Sequence, residues 1–280
     1  MERSKPVGIA EFHWISLDII RLIKYEILKE VKMSYQTKIV DYQYKKKVVS
    51  YALPICTGGC NRGTRKNYKE MSMEEKEKSD KRRIRYYNRI ASELVELALM
   101  NSSFKVMITL TFSEHITDYH FAIRCWKNFV RRLKYSFGEF RYICVWERTK
   151  QGRVHFHALL DLNLTHKELI KFWKYGKIVW VSKIKNGYNG RKRAILYMTK
   201  YMCKSIQERI QSGESIRGER FFFCSKNLEK PRIEKIEERL DIQNLIFENM
   251  ENIIKDGIYE IKDFNDKSIN RVEFIEYKNE

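Results

Sequence analysis

The sequence predicts an α+β fold, in which short strands and amphipathic helices alternate through the middle of the chain. Runs rich in β-branched and aromatic residues, such as residues 106–112 (VMITLTF), are typical of strands, and apolar residues spaced three and four apart between them indicate helices. The 280 residues are 43% hydrophobic and include 17 Tyr and 15 Phe. That composition is enough for a packed core and excludes a disordered basic tail.

The first hundred residues are predicted to be mostly helical around an irregular centre. Apolar residues at helical spacing predict a helix over residues 15–31, and a second helix is expected over residues 73–100. Two short strand-like runs lie between them, at residues 38–44 and 48–53. Residues 54–60 (PICTGGC) follow, and their proline and paired glycines predict a turn.

The middle of the chain has a definite order of elements. The order is a strand at 106–112, a helix from a cap at Thr117 or Asp118 to residue 137, strands at 140–148 and 153–160, a helix at 167–175 after Thr165, and a strand at 177–184. This β-α-β-β-α-β order is that of the ferredoxin-like split fold. A further helix over 194–207 and a strand over 220–224 would complete a five-stranded sheet.

The charge is spread unevenly along the chain. Lys and Arg number 55 against 36 Asp and Glu, a formal net charge of +19, and such an excess usually has a polyanionic partner such as nucleic acid or an anionic membrane. Residues 231–280 alone carry a net charge of −5, which leaves +24 on residues 1–230. We predict three parts: an N-terminal accessory and DNA-binding region at 1–103, a central domain at 104–228 and an acidic C-terminal appendage at 229–280.

The sequence argues against two classes of protein, membrane-spanning chains and disulfide scaffolds. The best candidate for a membrane span, residues 12–23, is interrupted by Asp18 and Arg21 and is shorter than the roughly 18 apolar residues that a span needs. No signal-peptide pattern precedes it. The six cysteines are sparse and irregularly placed. We expect a soluble protein of a reducing compartment with no membrane partner.

Two histidines and a carboxylate form the first candidate site. His155 and His157 lie in one predicted strand, where side chains alternate between faces, so both imidazoles project from one side. A three-residue loop ending at Gly152 pairs Glu147 with His155 and brings the carboxylate to the same face. Two imidazoles and one carboxylate make a divalent-metal site with open positions. The simpler interpretation is two half-exposed strand histidines, and a two-residue loop would turn Glu147 to the other face.

Two tyrosines and two lysines form the second candidate site. Tyr197 and Tyr201 are four residues apart, as are Lys200 and Lys204, so all four side chains share one stripe of a predicted helix. A phenolate can attack phosphorus, and neighbouring ammonium groups favour its ionisation and steady the phosphate charge. Taken alone, the stripe is equally typical of the wet face of an amphipathic helix.

Taken together, these motifs resemble those of a known family. Three features resemble, in their order, the three motifs of HUH endonucleases: residues 108–112 (ITLTF), Glu147 with His155-Phe-His157, and Tyr197-x-x-x-Tyr201-x-x-Lys204. The last is similar to the two-tyrosine motif of rolling-circle replication initiators (Rep proteins) of single-stranded-DNA phages and small plasmids. The resemblance covers residues 104–225 and implies a five-stranded antiparallel sheet with helices packed on one face, the HUH endonuclease fold.

The resemblance also implies an activity, the nicking and rejoining of single-stranded DNA. A divalent ion, Mg²⁺ or Mn²⁺, held by His155, His157 and Glu147 would polarise the scissile phosphate. One tyrosine would attack it, forming a 5′-phosphotyrosyl link and a 3′-hydroxyl that primes synthesis. The second tyrosine would cut the regenerated origin so that a circle is closed, and Lys200 or Lys204 would assist the attacking or leaving oxygen. The implied partners are an origin strand or hairpin and the helicase and DNA polymerase of a bacterial host, in its cytoplasm.

Basic clusters indicate where a nucleic acid would bind. Cations interleaved with aromatic rings suit single strands or hairpins, although exposed helix faces are often rich in Lys and Arg in any case. The candidate residues are Arg82, Arg83, Arg85, Tyr86, Tyr87, Arg131, Arg132, Arg191, Lys192 and Arg193. Contacts between such cations and phosphates would make the affinity fall steeply with salt.

Three other functions compete with this interpretation. An HUH transposase or relaxase would use the same chemistry, often with a single tyrosine. An RRM-like module would bind RNA without chemistry and would carry aromatic residues on its open sheet face. An oxygenase with a 2-His-1-carboxylate site would leave the tyrosines and the charge unexplained. The chain has no P-loop of the G-x-x-x-x-G-K-[ST] type, so unwinding would come from a partner.

One departure from the family pattern concerns zinc. Cys56 and Cys60 are similar to part of a cysteine-rich stretch near the start of some phage initiators, which carries further cysteines. Two nearby thiols cannot supply the four ligands of a structural zinc ion. We therefore expect a glycine-rich turn with two thiols rather than a zinc site.

Overall fold

The chain folds into two compact units. The computed structural model describes residues 33–57, 67–185, 187–214, 216, 218–263 and 267–279. Of these residues, those in 33–39, 47–57 and 233–278 form unit 1, and those in 40–46, 67–232 and 279 form unit 2. The helix predicted over residues 15–31 lies outside the described residues.

The described residues contain ten strands and five α-helices, with short 3₁₀ helices at Tyr68–Glu70 and Met250–Asn252. In chain order the elements are β1 (Met33–Asp41), β2 (Lys45–Thr57), α1 (Met73–Met100), β3 (Val106–Thr111), α2 (Tyr119–Phe137), β4 (Tyr142–Arg148), β5 (Val154–Leu160), α3 (His166–Phe172), β6 (Val179–Lys183), α4 (Tyr188–Gln211), β7 (Phe222–Cys224), β8 (Arg232–Ile236), α5 (Ile242–Glu248), β9 (Ile253–Lys262) and β10 (Ser268–Lys278).

The strands form two five-stranded antiparallel sheets, and the predicted α+β class is confirmed. The first sheet has the order β8-β1-β2-β10-β9. The second sheet has the order β6-β3-β5-β4-β7 and lies in unit 2, where every neighbouring pair is antiparallel. From β3 to β6 the elements follow one another as strand, helix, strand, strand, helix, strand.

Capping residues explain where the helices of unit 2 begin. Ser72 accepts a hydrogen bond from the backbone N–H of Glu75, whose side chain accepts one in return from the Ser72 N–H, so α1 starts with a capping box. Thr165 and Glu168 form the same motif at α3. Asp118, one of the two predicted caps, accepts from the backbone N–H of His120 at the start of α2.

The turn predicted from Pro54 is wrong for its described residues, because residues 54–57 continue β2. Proline has no N–H to give to a sheet, so it is unfavourable beside the hydrogen-bond ladder. The Asn270 side chain compensates at the preceding residue. It accepts from the Leu53 N–H at 2.9 Å and donates to the Leu53 carbonyl at 2.8 Å, which lets the strand run on past the proline.

Helices pack on both faces of the second sheet, whereas the resemblance implies packing on one face. Phe156 and His157 are neighbours in β5 and therefore point to opposite faces. Trp126 of α2 stacks on Phe156 with 5.5 Å between ring centroids, and Tyr201 of α4 stacks on His157 at 5.7 Å. We call the first the core face and the second the site face.

The predicted division at residues 103 and 228 does not coincide with the two units. Unit 1 has its own small core, in which Val48 of β2, Ile242 of α5 and Ile275 of β10 are buried. Its strands therefore come from both ends of the described chain. Pairing between such distant segments leaves no mark in local composition or charge, so the sequence suggested a separate region and appendage instead.

The membrane and cysteine expectations can be compared with the described residues. No helix among them has both the length and the apolar character needed to cross a bilayer. The described cysteines, at positions 56, 125, 144, 203 and 224, are all free thiols. Cys60 lies outside the described residues, so a pair with Cys56 is not part of the structure.

Candidate functional site

The hairpin between β4 and β5 sets the register of the candidate metal ligands. Gly152 has φ +80°, which favours glycine, and its N–H donates to the Thr149 carbonyl at 2.8 Å. The Thr149 N–H donates to the Arg153 carbonyl at 2.9 Å. The ladder then pairs Glu147 with His155, as the three-residue loop predicts. The face shared by Glu147, His155 and His157 follows from this register.

His157 is held between two oxygen atoms. Its side chain is 6% exposed, its Nε2 lies 3.0 Å from Glu147 Oε1, and its Nδ1 lies 3.0 Å from Thr109 Oγ1. A hydroxyl both donates and accepts, so Thr109 can serve either tautomer of the imidazole. With Nε2 free to bind a cation, the Nδ1–H would donate to Thr109, an arrangement that fixes the ring orientation of metal-binding histidines.

Thr109 is a residue of the site that the sequence did not single out. It lies directly opposite His157 in the pairing of β3 with β5. Residues 108–112 were assigned to a motif strand, and alternation places Thr109 on one of its faces. Which strand lies beside it depends on non-local pairing, so the contact with His157 could not be predicted.

His155 lies between Thr111 of β3 and Glu147 of β4 in the same sheet. Burial lowers the pKa of His155, the charge of Glu147 opposes that effect, and the neighbouring His157 and Arg153 reinforce it. The net lowered pKa favours the neutral imidazole, the form with a free lone pair for a metal ion.

Tyr197 and Tyr201 meet over His157, as the tyrosine stripe predicts. Their ring centroids are 4.7 Å apart, and the Tyr201 ring lies nearly parallel to His157 while Tyr197 meets it edge-on at 6.3 Å. Tyr197 is 46% exposed. A side-chain hydrogen bond with Tyr201, burial, and the charges of Tyr201 and Glu147 all raise the pKa of Tyr197. The two phenols are thus hydrogen-bonded to each other and differ in exposure.

The two lysines of the stripe are exposed, as expected for groups that meet an anion. Lys200 and Lys204 lie on the same side of α4 as the tyrosines. Lys204 Nζ is 3.8 Å from the Glu208 carboxylate, and both side chains are about half exposed. A surface pair of this kind contributes little, so Lys204 can turn to a phosphate at small cost.

The donor set fits a metal ion in part. An octahedral ion with bonds of about 2.1 Å sets neighbouring ligands about 3 Å apart, which is the distance of 3.0 Å between His157 Nε2 and Glu147 Oε1. As arranged, no three His, Cys, Asp or Glu side chains of the described residues stand close enough to hold an ion together. His155, directly opposite Glu147, is the third donor nearest in the register.

The predicted DNA-binding cluster on α1 is divided by the structure. Arg82, Arg85 and Tyr86 are exposed, and Arg83 is half-buried. Tyr87 packs against Phe221 with 5.2 Å between ring centroids. Tyr87 therefore belongs to the edge of the core, and its ring is not free to stack on a base.

The cluster on α2 lies on the core face, away from the tyrosines. Arg131 is exposed and donates to Asn128 Oδ1 at 3.0 Å. The Arg132 Nε donates to the carbonyl of Phe172 at 2.8 Å, so this guanidinium ties α2 to the end of α3. Because α2 and α4 cover opposite faces, the structure does not bring Arg131 and Arg132 together with the candidate site.

The cluster at the start of α4 does lie beside the candidate site. Lys192 and Arg193 are exposed and Arg191 is half-buried. Arg193 precedes Tyr197 by four residues, so it continues the stripe of tyrosines and lysines by one helical turn. Of the predicted clusters on α2 and α4, this one shares the site face.

Trp180 is a further site-face residue that the sequence analysis did not single out. It lies in β6 directly opposite Thr109, and it is 67% exposed. A strand of alternating residues predicts that one face is exposed, but an exposed tryptophan beside a polar site becomes visible only when β6 is paired with β3.

The segment that carries this site matches a known protein family. Residues 105–206 match the family model of the Replication-associated protein ORF2. The matched segment spans the described elements from β3 into α4, and it includes Glu147, both histidines and both tyrosines. No curated protein and no solved structure matches the chain.

Proposed function

We propose that this protein is a replication initiator that cuts and rejoins single-stranded DNA through Tyr197 and Tyr201. The observation that carries the proposal is the stack of both phenols over His157, whose other side contacts Glu147. The match of residues 105–206 to a replication-associated family supports the role in replication. The sequence resemblance to two-tyrosine Rep proteins supplies the chemistry.

The proposed reaction is a phosphodiester exchange. A tyrosine Oη attacks the scissile phosphorus, a bond forms between them, and the bond from phosphorus to the 3′ oxygen breaks. The phenol gives up one proton and the leaving 3′ oxygen gains one, so the step needs neither water nor a nucleotide triphosphate. The second tyrosine repeats the attack, and the free 3′-hydroxyl reseals the strand by the reverse step.

The chain's own residues would orient the phosphate. Arg193, Lys200 and Lys204 place three cations along the stripe that carries the tyrosines, and cations placed where charge develops stabilise the transition state. Thr109 holds the His157 ring from behind. The hydrogen bond between the two phenols keeps both hydroxyls close to the same phosphate position.

A divalent ion, Mg²⁺ or Mn²⁺, would be held by His157, Glu147 and His155. When bound, it would polarise a non-bridging oxygen of the scissile phosphate. The 3.0 Å separation of His157 Nε2 and Glu147 Oε1 and the neutral state favoured for His155 support these ligands. The proposal predicts that chelation by EDTA abolishes the reaction and that Mn²⁺ restores it.

The decisive experiment looks for a covalent adduct. Labelled single-stranded oligonucleotides that tile the candidate origin are incubated with Mn²⁺ and resolved on a denaturing gel. We expect an adduct from the wild type, from Tyr197→Phe and from Tyr201→Phe, with closure of circles lost in both single variants. The double variant should form none. Tyr135→Phe is the matched control, since Tyr135 is 94% exposed on α2 and should behave as the wild type.

Two results would contradict the proposal. One is the absence of an adduct with every origin strand. The other is an adduct that persists in the variant carrying both His155→Ala and His157→Ala. If each single tyrosine variant closed circles as the wild type does, the assignment of two alternating nucleophiles would be wrong.

The proposed partners follow from this reaction. The protein would bind an origin strand or hairpin, and its 3′-hydroxyl product would serve a host DNA polymerase while a host helicase unwinds the duplex. These partners place the protein in the cytoplasm of a bacterial host. A transposase or relaxase with the same chemistry would give the same adduct but would join it to a different DNA end.

A second candidate function is non-catalytic binding of a single strand by the sheet. The exposed Trp180 beside Thr109 favours it, since an RRM-like module carries aromatic residues on its open face. Tight binding of single strands without any adduct in Mn²⁺ would favour this module over the initiator.

A further inference from the structure

The site face of the second sheet is covered over only half of its width. Helix α4 packs on β4 and β5. The neighbouring strand β3 and the edge strand β6 complete the same sheet. Trp180 of β6 is directly opposite Thr109 of β3, which is directly opposite His157 of β5, so the three side chains form one row on the site face.

Two apolar side chains stand exposed on this open half. Ile178 lies two residues before Trp180, on the same face, and is 69% exposed. Trp126, Trp146 and Trp173 are buried to 1% exposure or less, so Trp180 is the exposed tryptophan of the described residues. An exposed tryptophan and isoleucine in one row with a buried polar site indicate a surface made for contact.

The charge around this surface matches a polyanion. Residues 169–207, which hold β6, the tyrosines and the start of α4, contain ten Lys and Arg and no Asp or Glu. Among them, Lys177 and Lys185 flank β6 on either side and are exposed. An apolar ring between cations is the surface that binds unpaired bases, because every base has a face that stacks on an aromatic ring.

We propose that the open half of the site face binds unpaired bases next to the scissile phosphate, with Trp180 as the stacking platform. The inference rests on the proposed function and adds the path of the strand. Adjacent strands are about 4.8 Å apart, so Trp180 stands about 10 Å from the strand that carries His157. A base stacked there leaves its neighbouring phosphates within reach of Lys177 and of the site.

The test uses tryptophan fluorescence and a defined probe, a (dT)₂₀ strand in EDTA, in which no cutting takes place. We expect (dT)₂₀ to quench part of the emission of the wild type, and this part to be missing in Trp180→Phe. Trp180→Leu should weaken (dT)₂₀ binding about 5- to 150-fold, with Trp180→Phe in between because it retains a ring. An abasic strand of the same length should bind the wild type and Trp180→Leu equally, since it has phosphates but no bases.

The controls separate this inference from the proposed function. Trp180→Leu should unfold at the same urea concentration as the wild type, because the side chain is exposed. Equal (dT)₂₀ affinity of the wild type and Trp180→Leu would overturn the platform, whether or not the wild type forms an adduct. A weakened Trp180→Leu together with a wild type that forms no adduct would keep the base platform and overturn the nicking chemistry. A self-associating wild type made monomeric by Trp180→Leu, with unchanged (dT)₂₀ affinity, would assign the surface to a second copy and overturn the proposal.

Discussion

The two faces of the second sheet are built from alternate residues of the same strands but have opposite chemistry. On the core face, Phe156 is fully buried and stacks on Trp126. On the site face, its neighbour His157 is nearly as buried but contacts the polar atoms of Thr109 and Glu147. One face is held together by packing and the other by directed hydrogen bonds.

The difference teaches how a reactive site can be placed inside a stable sheet. The core face is closed by α2 and its aromatic rings, which bury a large apolar area. The site face is covered by α4 on one half and open on the other, where Trp180 meets solvent. Stability and access are therefore assigned to opposite sides of one backbone layer.

The largest expected effect would break the core face. Phe156→Ala removes a ring that packs against Trp126 and should lower the free energy of unfolding by about 3–5 kcal/mol. Tyr201→Phe, on the opposite face, removes only a hydroxyl and should change it by less than about 1 kcal/mol. Urea unfolding followed by tryptophan fluorescence measures both, because Trp126 and Trp146 are buried in this unit. Equal midpoints for the two variants would refute the division of roles.

The next effect would test the hydrogen bonds of the site face. Thr109→Val removes the hydroxyl that contacts His157 Nδ1, and it should weaken Mn²⁺ binding about 10- to 100-fold. Thr199→Val is the control, since this hydroxyl donates to the Ile195 carbonyl within α4 and touches neither histidine. Electron paramagnetic resonance of free Mn²⁺ gives both affinities without relying on activity. Unchanged Mn²⁺ affinity in Thr109→Val would show that Thr109 does not orient the ligand.

The smallest expected effect sharpens the comparison through salt. Arg193 lies on the site-face stripe and Arg131 on α2, which covers the core face. If a single strand follows the site face, Arg193→Ala should lower the slope of log affinity against log salt by about 0.7, the value for one lost phosphate contact on single strands. Arg131→Ala should leave the slope as in the wild type. Titration of (dT)₂₀ at several salt concentrations measures both, and the reverse ranking would place the DNA on α2.

Much of unit 2 could be predicted because its signals are local. The hairpin register follows from three loop residues and the conformation of Gly152, which are read within ten residues of sequence. The stripe of Tyr197 and Tyr201 follows from helical spacing alone. By contrast, Tyr87 was taken as a ring free to stack, and its contact with Phe221 buries it in a way that no local pattern reveals.

By itself, the sequence determined the α+β class of the protein, the Glu147–His155 pairing and the shared face of both tyrosines, since each depends on neighbours close along the chain. Only the tertiary structure decided that Thr109 supports His157, that Trp180 stands open beside it, and that Arg131 lies on the other face. It also decided that unit 1 draws on both ends of the described chain. The physical reason is the same throughout: pairing of distant strands and packing of helices on a chosen face are collective, and many local patterns are compatible with more than one of them.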